Sequence, residues 1–312
     1  MAFFILILLG SIWGASYLFI KVGVDGGVSP VTLVAMRTAL AGITLFGMIL
    51  LRREKFPPRR APIWKWLVLL GFLNNVIPYT LITWGETRIS SGLAAILVGA
   101  MPIFTVILAH YMTHDEKFTP RKVIGMVAGF IGVVILFLPD FLQLTTLHAA
   151  ATANIFGGLA VVVAAVSYAT ATIFARRHTK GYSHTFIAFG QMLMASIALI
   201  PASVLLEQPW TLSPTAQALV SIFILATLGT AFAYLLYFWL IARVGATRTS
   251  LVTYISPVIA VILGAVVLNE SLQWTMVVGL VLIVAGVGLV TNLQLGGTKG
   301  QPQGIAPTVK NV

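Results

Sequence analysis

Long apolar stretches separated by short polar connections form the pattern of this chain from its first residues to about residue 293. Each stretch holds about 20 residues with few or no charges, the length that an α-helix needs to cross a hydrocarbon core of about 30 Å. The pattern therefore predicts ten membrane-spanning helices. Their expected ranges are 3–22, 31–51, 64–84, 91–111, 120–138, 154–174, 184–206, 214–240, 246–267 and 273–293.

The connections are rich in Pro, Gly and charge, as in the segment from Arg52 to Arg60. Residues 296–312 lack apolar content, which predicts a mobile cytoplasmic tail. The first apolar stretch begins almost at Met1, with no basic leader and no small-residue cleavage site. We therefore expect it to be a retained span and not a signal peptide.

The chain also contains an internal repeat. Tyr79, Trp84 and Pro102 recur as Tyr234, Trp239 and Pro257, each at an offset of 155 residues. Ser16-Tyr17 recurs as Ser167-Tyr168 at an offset of 151, and Gly125 and Gly132 match Gly279 and Gly286 at an offset of 154. In a chain this apolar, such a duplication predicts a membrane transporter. The two expected repeats are residues 3–138 and 154–293.

Composition supports this class of protein and excludes others. Apolar residues make up 59% of the chain and charged residues 9%, and the mean hydropathy is +1.00, whereas soluble domains contain roughly 25% charged residues. The chain has no cysteine, which excludes disulfides and thiolate metal sites. It also has no phosphate loop, dinucleotide-binding motif or metalloprotease motif. The sequence therefore predicts no cofactor, no metal and no enzymatic activity.

The placement of charge predicts the orientation in the membrane. With ten spans, 16 of the 19 basic residues fall on the side of the N-terminus, while Lys21 and Arg88 fall on the other side and Arg37 lies within a span. By the positive-inside rule, both termini are cytoplasmic. Each repeat holds an odd number of helices, so the second repeat enters the membrane from the opposite face. The expected fold is an all-α polytopic membrane protein with ten transmembrane helices in an inverted five-plus-five repeat.

Several short motifs accompany this repeat. They are Ile12-Trp-Gly-Ala-Ser-Tyr17 in the first span, Pro102 and Pro257 in the fourth and ninth, and Glu116 and Glu270 before the glycine-containing fifth and tenth spans. In this order, over residues 3–293, they resemble the drug/metabolite transporter superfamily in its ten-helix EamA-type branch. The resemblance implies export or exchange of amino acids and other small metabolites across the bacterial inner membrane. It does not define the substrate.

The acidic residues bear on the source of energy. All eight lie at predicted span ends or in loops: Asp25, Glu54, Glu86, Asp115, Glu116, Asp140, Glu207 and Glu270. A carboxylate relay at mid-membrane, typical of proton-driven pumps, therefore has no residues to form it. This predicts flux down the substrate gradient that persists without a proton gradient. The alternative is a proton-coupled metabolite or drug antiporter that titrates a border carboxylate such as Glu86 or Glu270.

The aromatic residues divide by depth. Those at span ends, among them Trp64 and Trp274, are expected to form an interfacial belt. The deeper aromatic residues are Trp13, Tyr17, Tyr79, Tyr168, Tyr234, Tyr237 and Tyr254. A buried Tyr hydroxyl needs a partner, so these side chains are expected to face other helices or a wet cavity. We predict that they bind substrate near the repeat interface, with packing alone as the alternative.

Amides and prolines add further candidates. Asn74 and Asn75 precede Pro78 inside the third span, where the amides bind substrate or satisfy the carbonyl that Pro78 frees. Pro102 and Pro257 are repeat mates at mid-span and, with Pro78, are expected to act as hinges. Gly10-x-x-x-Gly14 and Gly125-x-x-x-Gly129 indicate close helix packing without a role in transport.

Arg37 is the only charge well inside a span, and its repeat mate is Gln191. It is a candidate for binding a substrate carboxylate with two parallel hydrogen bonds. Snorkelling to the outer interface, or pairing with Glu86 or Asp25, would give it a structural role instead, and we favour this interpretation.

The sequence as a whole predicts a multi-pass inner-membrane carrier that works by alternating access. Its expected partners are a small-molecule substrate and the lipid bilayer, with no nucleic acid, because the net charge of +11 reflects topology and anionic headgroups. A monomer is the expected working unit. A membrane enzyme fits less well because no nucleophile or metal set converges, and a structural membrane subunit would leave the duplicated aromatic residues without a purpose.

Overall fold

The computed structural model describes residues 1–112, 119–144, 149–244, 249 and 252–290. Within these residues the secondary structure is helical, without a strand, and the helices line up as ten rods. The rods are α1 Ala2–Asp25, α2 Pro30–Leu51, α3 Ile63–Glu86, α4 Ser91–Met112, α5 Pro120–Leu144, α6 Ala149–His178, α7 His184–Glu207, α8 216–244, α9 Val252–Val267 and α10 Trp274–Val290. A single 3₁₀ turn, Pro209–Thr211, lies between α7 and α8.

The rods are those of a polytopic membrane protein. Among the described residues, α1 to α8 each contain a segment long and apolar enough to cross a membrane, and α9 and α10 contribute two shorter apolar helices. Large apolar side chains also cover the outside of the bundle, for example Phe130, Phe223 and Leu205, which are 61%, 57% and 77% exposed. A surface of this kind suits lipid and not water.

The predicted spans agree with the rods to within four residues for α1 to α4, α7 and α8, whereas the predicted fifth span ends at residue 138 and α5 ends at Leu144. The predicted sixth span begins at residue 154, whereas α6 begins at Ala149. Residues 246–248 and 250–251 of the ninth predicted span, and residues 291–293 of the tenth, lie outside the described residues. The predicted tail, 296–312, and Glu116 lie outside them as well.

Two rods contain a π-helical turn, in which the backbone is wider than in an α-helix. In α3 the turn is Phe72–Val76, and in α8 it is Thr227–Phe232. The two turns begin 155 residues apart, which is the offset of the sequence repeat. Ser167 on α6 donates a hydrogen bond of 2.7 Å to the carbonyl of Leu73, within the first turn. Such turns are rare in helices and frequent at functional sites.

Packing between the rods follows the two halves of the chain. α5 packs against α10, and α2 packs against α7, so each of these pairs joins the same position of the two halves. The rods α1, α3 and α4 correspond to α6, α8 and α9 in the second half. Accordingly, α1 contacts α9 as α6 contacts α4, and α1 contacts α8 as α6 contacts α3. Exchanging the first five rods for the last five therefore reproduces these contacts.

Glycine allows the closest of these contacts. A Cβ atom on Gly286 of α10 would lie 2.5 Å from the Gly125 carbonyl oxygen of α5, and one on Gly14 of α1 would lie 2.7 Å from the Ser256 carbonyl oxygen of α9. A Cβ atom on Gly10 would meet Ile255, also of α9, at 2.6 Å. The predicted role of Gly10 and Gly14 in helix packing is confirmed.

The two ends of the bundle differ in the contacts that they contain. We call the end where α3 meets α4 the Glu86 end, and the end where α2 meets α3 the Arg52 end. At the Glu86 end, Glu270 accepts hydrogen bonds from Ser91 and Gly92 at the start of α4, and Glu207 accepts them from Val31 and Thr32 at the start of α2. Carboxylates suit these positions because a helix N-terminus carries free N–H groups and a partial positive charge.

At the Arg52 end there is a cavity of about 390 Å³. Its lining residues are Arg52, Glu54, Ser183, His184, Thr185, Leu235 and Trp239. Hydrogen bonds also cross the Arg52 end, where Arg52 donates to Thr185 at 3.4 Å and Ser183 donates to Glu54. The two ends therefore differ in that carboxylates bind helix N-termini at the Glu86 end and a cavity lies at the Arg52 end.

Candidate functional site

Polar and aromatic side chains meet inside the bundle around Tyr79 of α3. Tyr79 follows the π-helical turn and is only 6% exposed. The guanidinium carbon of Arg37, on α2, lies 3.8 Å from the centre of the Tyr79 ring. The ring of Tyr168, on α6, lies 6.5 Å away at an interplanar angle of 66°, an edge-to-face arrangement. Three rods thus bring a cation and two aromatic rings together.

An amide group extends this cluster to α7 and α8. The Asn74 side-chain nitrogen donates to the Gln191 side-chain oxygen at 2.9 Å and to the Tyr234 hydroxyl at 3.2 Å. Tyr234 also forms a side-chain hydrogen bond with Tyr79. We define the central cluster as Arg37, Asn74, Tyr79, Tyr168, Gln191, Thr230 and Tyr234. It contains one charge, and its other polar groups are neutral.

Arg37 occupies a different environment from the one that we favoured from the sequence. It is 6% exposed, so it does not snorkel to an interface. Its Nε donates to Thr230 at 3.0 Å, and no ion pair joins it to a carboxylate among the residues that the structure describes. The reason is the π-helical turn of α8, which turns Thr230 toward Arg37, while the Tyr79 ring covers the guanidinium face.

The remaining aromatic candidates lie around α1. Trp13 packs on Tyr237 of α8, with ring centres 5.4 Å apart. Tyr17, one turn after Trp13, is near enough to Arg37, Tyr79 and Glu86 to interact with their charges or dipoles. It therefore lies between the central cluster and the Glu86 end. The side chain of Tyr254 lies outside the described part of the chain.

The three prolines lie at breaks or crossings of rods. Pro78 comes directly after the π-helical turn of α3. Pro102 follows an interruption of α4 at Ala100, between Ser91–Gly99 and Met101–Met112. Pro257 lies inside α9, and its ring would be 3.0 Å from a Cβ atom on Gly99 of α4. These positions suit the predicted hinges, and their motion stays a prediction.

Asn75 and Glu86 differ from the rest of the polar candidates because their side chains are fully buried and have no hydrogen-bond partner. Both amide atoms of Asn75 and both carboxyl oxygens of Glu86 are in this state, as is the hydroxyl of Thr83. The sequence placed Glu86 at the border of the membrane, and α3 does end there. Its neighbours nevertheless cover it completely, so its position in sequence gave no sign of its burial.

Three residues of the site were missed or undervalued in the sequence. Gln191 was noted only as the repeat mate of Arg37, although both belong to the central cluster. Ser167 was noted only as the repeat mate of Ser16, and Thr230 gave no signal because Ser and Thr are common in membrane helices. Their roles depend on the π-helical turns, where Ser167 bonds to Leu73 and Thr230 to Leu225. No group of three or more metal-ligating side chains occurs within the described ranges.

The comparisons with known proteins agree with this architecture. The profile of the EamA-like transporter family matches residues 1–138 and 155–292. The uncharacterized transporter YoaV of Bacillus subtilis is 25% identical over 88% of this chain and 91% of its own length. The uncharacterized inner membrane transporter YedA of Escherichia coli is 28% identical over 90% of this chain and 87% of its own length.

A solved crystal structure shares the fold, with a TM-score of 0.65 at 19% sequence identity, over 94% of this chain and 98% of that one. Protein PecM of Dickeya dadantii is another relative, 26% identical over 91% of this chain and 90% of its own length. The family profile accounts for nearly all of the described rods. The chain belongs to the EamA-like transporter family and is a multi-pass membrane transporter of the drug/metabolite type.

Proposed function

We propose that this protein is a secondary transporter that moves small metabolites, amino acids or related compounds, across the bacterial inner membrane. It works by alternating access, as an exporter or a facilitated exchanger, and carries out no covalent chemistry. The central cluster carries this proposal: a buried arginine, amides and aromatic rings converge from five rods in the middle of the bundle. Substrate sites of repeated transporters lie in such positions.

The chemistry of the cluster suits amino acids. The Arg37 guanidinium has five N–H donors, of which Nε binds Thr230, and no carboxylate pairs with it among the described residues. A substrate carboxylate would supply the missing anion. The rings of Tyr79 and Tyr168 offer apolar and π surfaces to a substrate side chain, and Asn75 offers an amide without a partner.

An inverted five-plus-five repeat with cytoplasmic termini is part of the proposal. Its support is the set of main rod contacts that recur when the two halves are exchanged, and the π-helical turns at the same place in each half. The basic residues on one predicted side support the orientation. In this orientation the Arg52 end faces the cytoplasm and the Glu86 end faces outward.

We assign the conformer described here to the inward-facing part of the transport cycle. A cavity lies at the Arg52 end, and Gln191 lies seven residues beyond His184 on α7, about 10 Å farther into the bundle. The Glu86 end is closed by the bonds of Glu207 and Glu270 to the starts of α2 and α4. Alternating access requires these bonds to break while the Arg52 end closes.

Ligand binding and flux test this function. Thermal unfolding of the purified protein in the presence of amino acids and nucleosides would identify a ligand, because binding to the folded state raises Tm. Flux of that ligand down its own gradient should then follow in proteoliposomes without an imposed pH gradient. If Arg37 binds a carboxylate, an amino acid should raise Tm and its methyl ester should not. Absence of flux for every ligand that raises Tm would contradict the proposal.

Proton-coupled antiport is the second candidate, and one observation favours it. Glu86 is a fully buried carboxyl whose two oxygens have no hydrogen-bond partner. Glu270, the other border carboxyl, is fully engaged at the start of α4. If a border carboxyl takes part in coupling, the structure therefore favours Glu86.

A further inference from the structure

The face of α3 that runs from the central cluster to the Glu86 end is polar and buried. Tyr79, Thr83 and Glu86 follow one another at intervals of four and three residues, so they share one side of the helix. Asn75 lies one turn before Tyr79. Apart from Tyr79, these residues are 0% exposed and lack hydrogen-bond partners.

Buried polar groups without partners are rare because each one costs the hydrogen bonds that it made to water. Three such residues close together on one side of α3 need an explanation. A conformer in which this face meets water would satisfy all of them. This face of α3 is then one wall of the path between the central cluster and the outer side.

Glu86 has the highest cost of burial in this row, because an ionised carboxylate without a partner is far less stable out of water than a neutral carboxyl. Among the described residues, no ion pair joins the Glu86 carboxyl to the nearby ammonium group of Lys21. Lys21, on α1, donates to the backbone carbonyl of Glu86 at 2.9 Å and forms an ion pair with Asp25 at 3.2 Å.

Other groups that face Glu86 come from each side. Lys21 and Asp25 of α1, Arg37 of α2, and Glu270 after α9 interact with it electrostatically, as does Tyr17 of α1. The positive charges of Lys21 and Arg37 near Glu86 are balanced by the negative charges of Asp25 and Glu270. On the remaining side, α6 packs through Gly157 and Val161 against Gly85, without a charge at that contact. These surroundings leave Glu86 without a dedicated counter-ion.

We propose that Glu86 is the proton-binding site of the outer gate: its carboxyl is protonated while the Glu86 end is closed, and opening of this end releases the proton. This inference rests on the alternating access proposed above and adds the link between opening and protons. Because the closed conformer holds one proton more than the open one, acid favours closure and alkali favours opening. A single linked proton changes this equilibrium by at most about tenfold per pH unit.

The absence of cysteine from the chain permits a direct test. Thr83→Cys places a thiol on the wall of the path, at a position that is 0% exposed and loses no hydrogen bond. A membrane-impermeant maleimide, added to right-side-out vesicles, should react with it only when the Glu86 end opens. Thr87→Cys is the matched control, because Thr87 is exposed one turn farther along and reports how the reagent itself responds to pH.

The measured quantity is the labelling rate of Thr83→Cys divided by that of Thr87→Cys. We expect this ratio to rise several-fold between pH 5.5 and pH 8.5, to stay constant with pH when Glu86→Gln is added, and to keep its rise with Glu86→Asp.

A ratio that is independent of pH in the protein with native Glu86 would contradict the proton-binding role of Glu86 but not alternating access. This result does not depend on whether a Glu86 variant folds. A rise that persists with Glu86→Gln, or a ratio that follows Na⁺ at fixed pH, would also overturn that role. If Thr83→Cys is not labelled at any pH while Thr87→Cys is, the Glu86 end does not open. That result contradicts the alternating access of the proposed function as well.

Discussion

Arg37 keeps a charge inside the bundle with one hydrogen bond, to Thr230, and with the face of the Tyr79 ring. Such a residue is costly in a membrane protein and is usually tied to function. The neighbouring amide of Asn75 and carboxyl of Glu86 have even fewer partners. At the scale of residues, the polar interior therefore contains groups whose hydrogen bonds are incomplete in this conformer, which leaves them available to a substrate or to water.

Replacement of the aromatic walls tests the binding site at this scale. Tyr79→Ala and Trp13→Ala should each weaken substrate affinity about fivefold, because each removes a ring contact or a hydrogen bond of about 1 kcal/mol. Affinity is measured by titrating the ligand in thermal unfolding, or from the concentration dependence of flux. Melting temperatures without ligand should change little.

Trp274→Ala is the control, because Trp274 is 65% exposed on the outside of the bundle and should leave affinity unchanged. If Tyr79→Ala lowers Tm while the affinity of the folded fraction stays the same, the deep aromatic residues serve packing. The binding site would then have to be sought around Asn75 and Arg37.

Two kinds of helix feature operate at the scale of elements. The π-helical turns of α3 and α8 widen the backbone and redirect neighbouring side chains, so that Asn74 reaches Gln191 and Thr230 reaches Arg37. Glycines on α5 and α10 bring two rods into backbone contact, which leaves no room for a side chain. The first feature forms the site, and the second fixes the rods that surround it.

The contact between α5 and α10 gives a stability prediction. Gly286→Ala should lower the stability of the folded protein by about 1–3 kcal/mol, as for other overpacked positions, because its Cβ atom would lie 2.5 Å from the Gly125 carbonyl oxygen. The measurement is thermal or denaturant unfolding in detergent.

Gly47→Ala is the matched control, since a Cβ atom there has no neighbour within 4 Å. It should leave stability unchanged or raise it slightly, because Ala is a better helix former than Gly. Equal effects of the two substitutions would show that helix propensity, and not contact between the rods, decides the outcome.

At the scale of the whole molecule, the two ends of the bundle differ. Carboxylates of Glu207 and Glu270 join rods at the Glu86 end, and a cavity of about 390 Å³ lies at the Arg52 end. A transporter needs such an asymmetry, because its two ends must open in turn. The asymmetry of this conformer is superimposed on main rod contacts, such as α5 with α10 and α2 with α7, that recur when the two halves are exchanged.

Reporter fusions test the orientation of the whole molecule. Fusions after Arg60, Lys117, Lys180 and Lys299 should all behave as cytoplasmic, because 16 of the 19 basic residues fall on their side. Alkaline phosphatase, which is active only in the periplasm, and a fluorescent protein, which matures in the cytoplasm, give opposite signals. A fusion after Arg88 is the control and should give the periplasmic signal. Phosphatase activity at Lys299 would contradict ten spans.

The sequence by itself determined the class of the protein, the helical rods and the repeat. These follow from local properties, since a run of about 20 apolar residues crosses a membrane wherever it lies in the chain, and repeated residues at one offset are visible without a structure. The sequence also indicated Tyr79, Tyr168, Tyr234 and Asn74, which the structure brings together, because deep polar groups are rare among apolar residues.

Only the tertiary structure decided which polar groups have partners. Arg37 contacts Thr230 and Tyr79. Glu86 is buried at the end of α3 because α1, α2, α6 and the segment after α9 surround it. Burial and hydrogen bonding depend on residues far apart in the chain, such as Ser91 and Glu270 or Asn74 and Gln191. Spacing along one helix carries no information about which side chains of neighbouring helices contact it. For this reason, the burial of Glu86 and its lack of a side-chain partner could not be predicted from its position in the sequence.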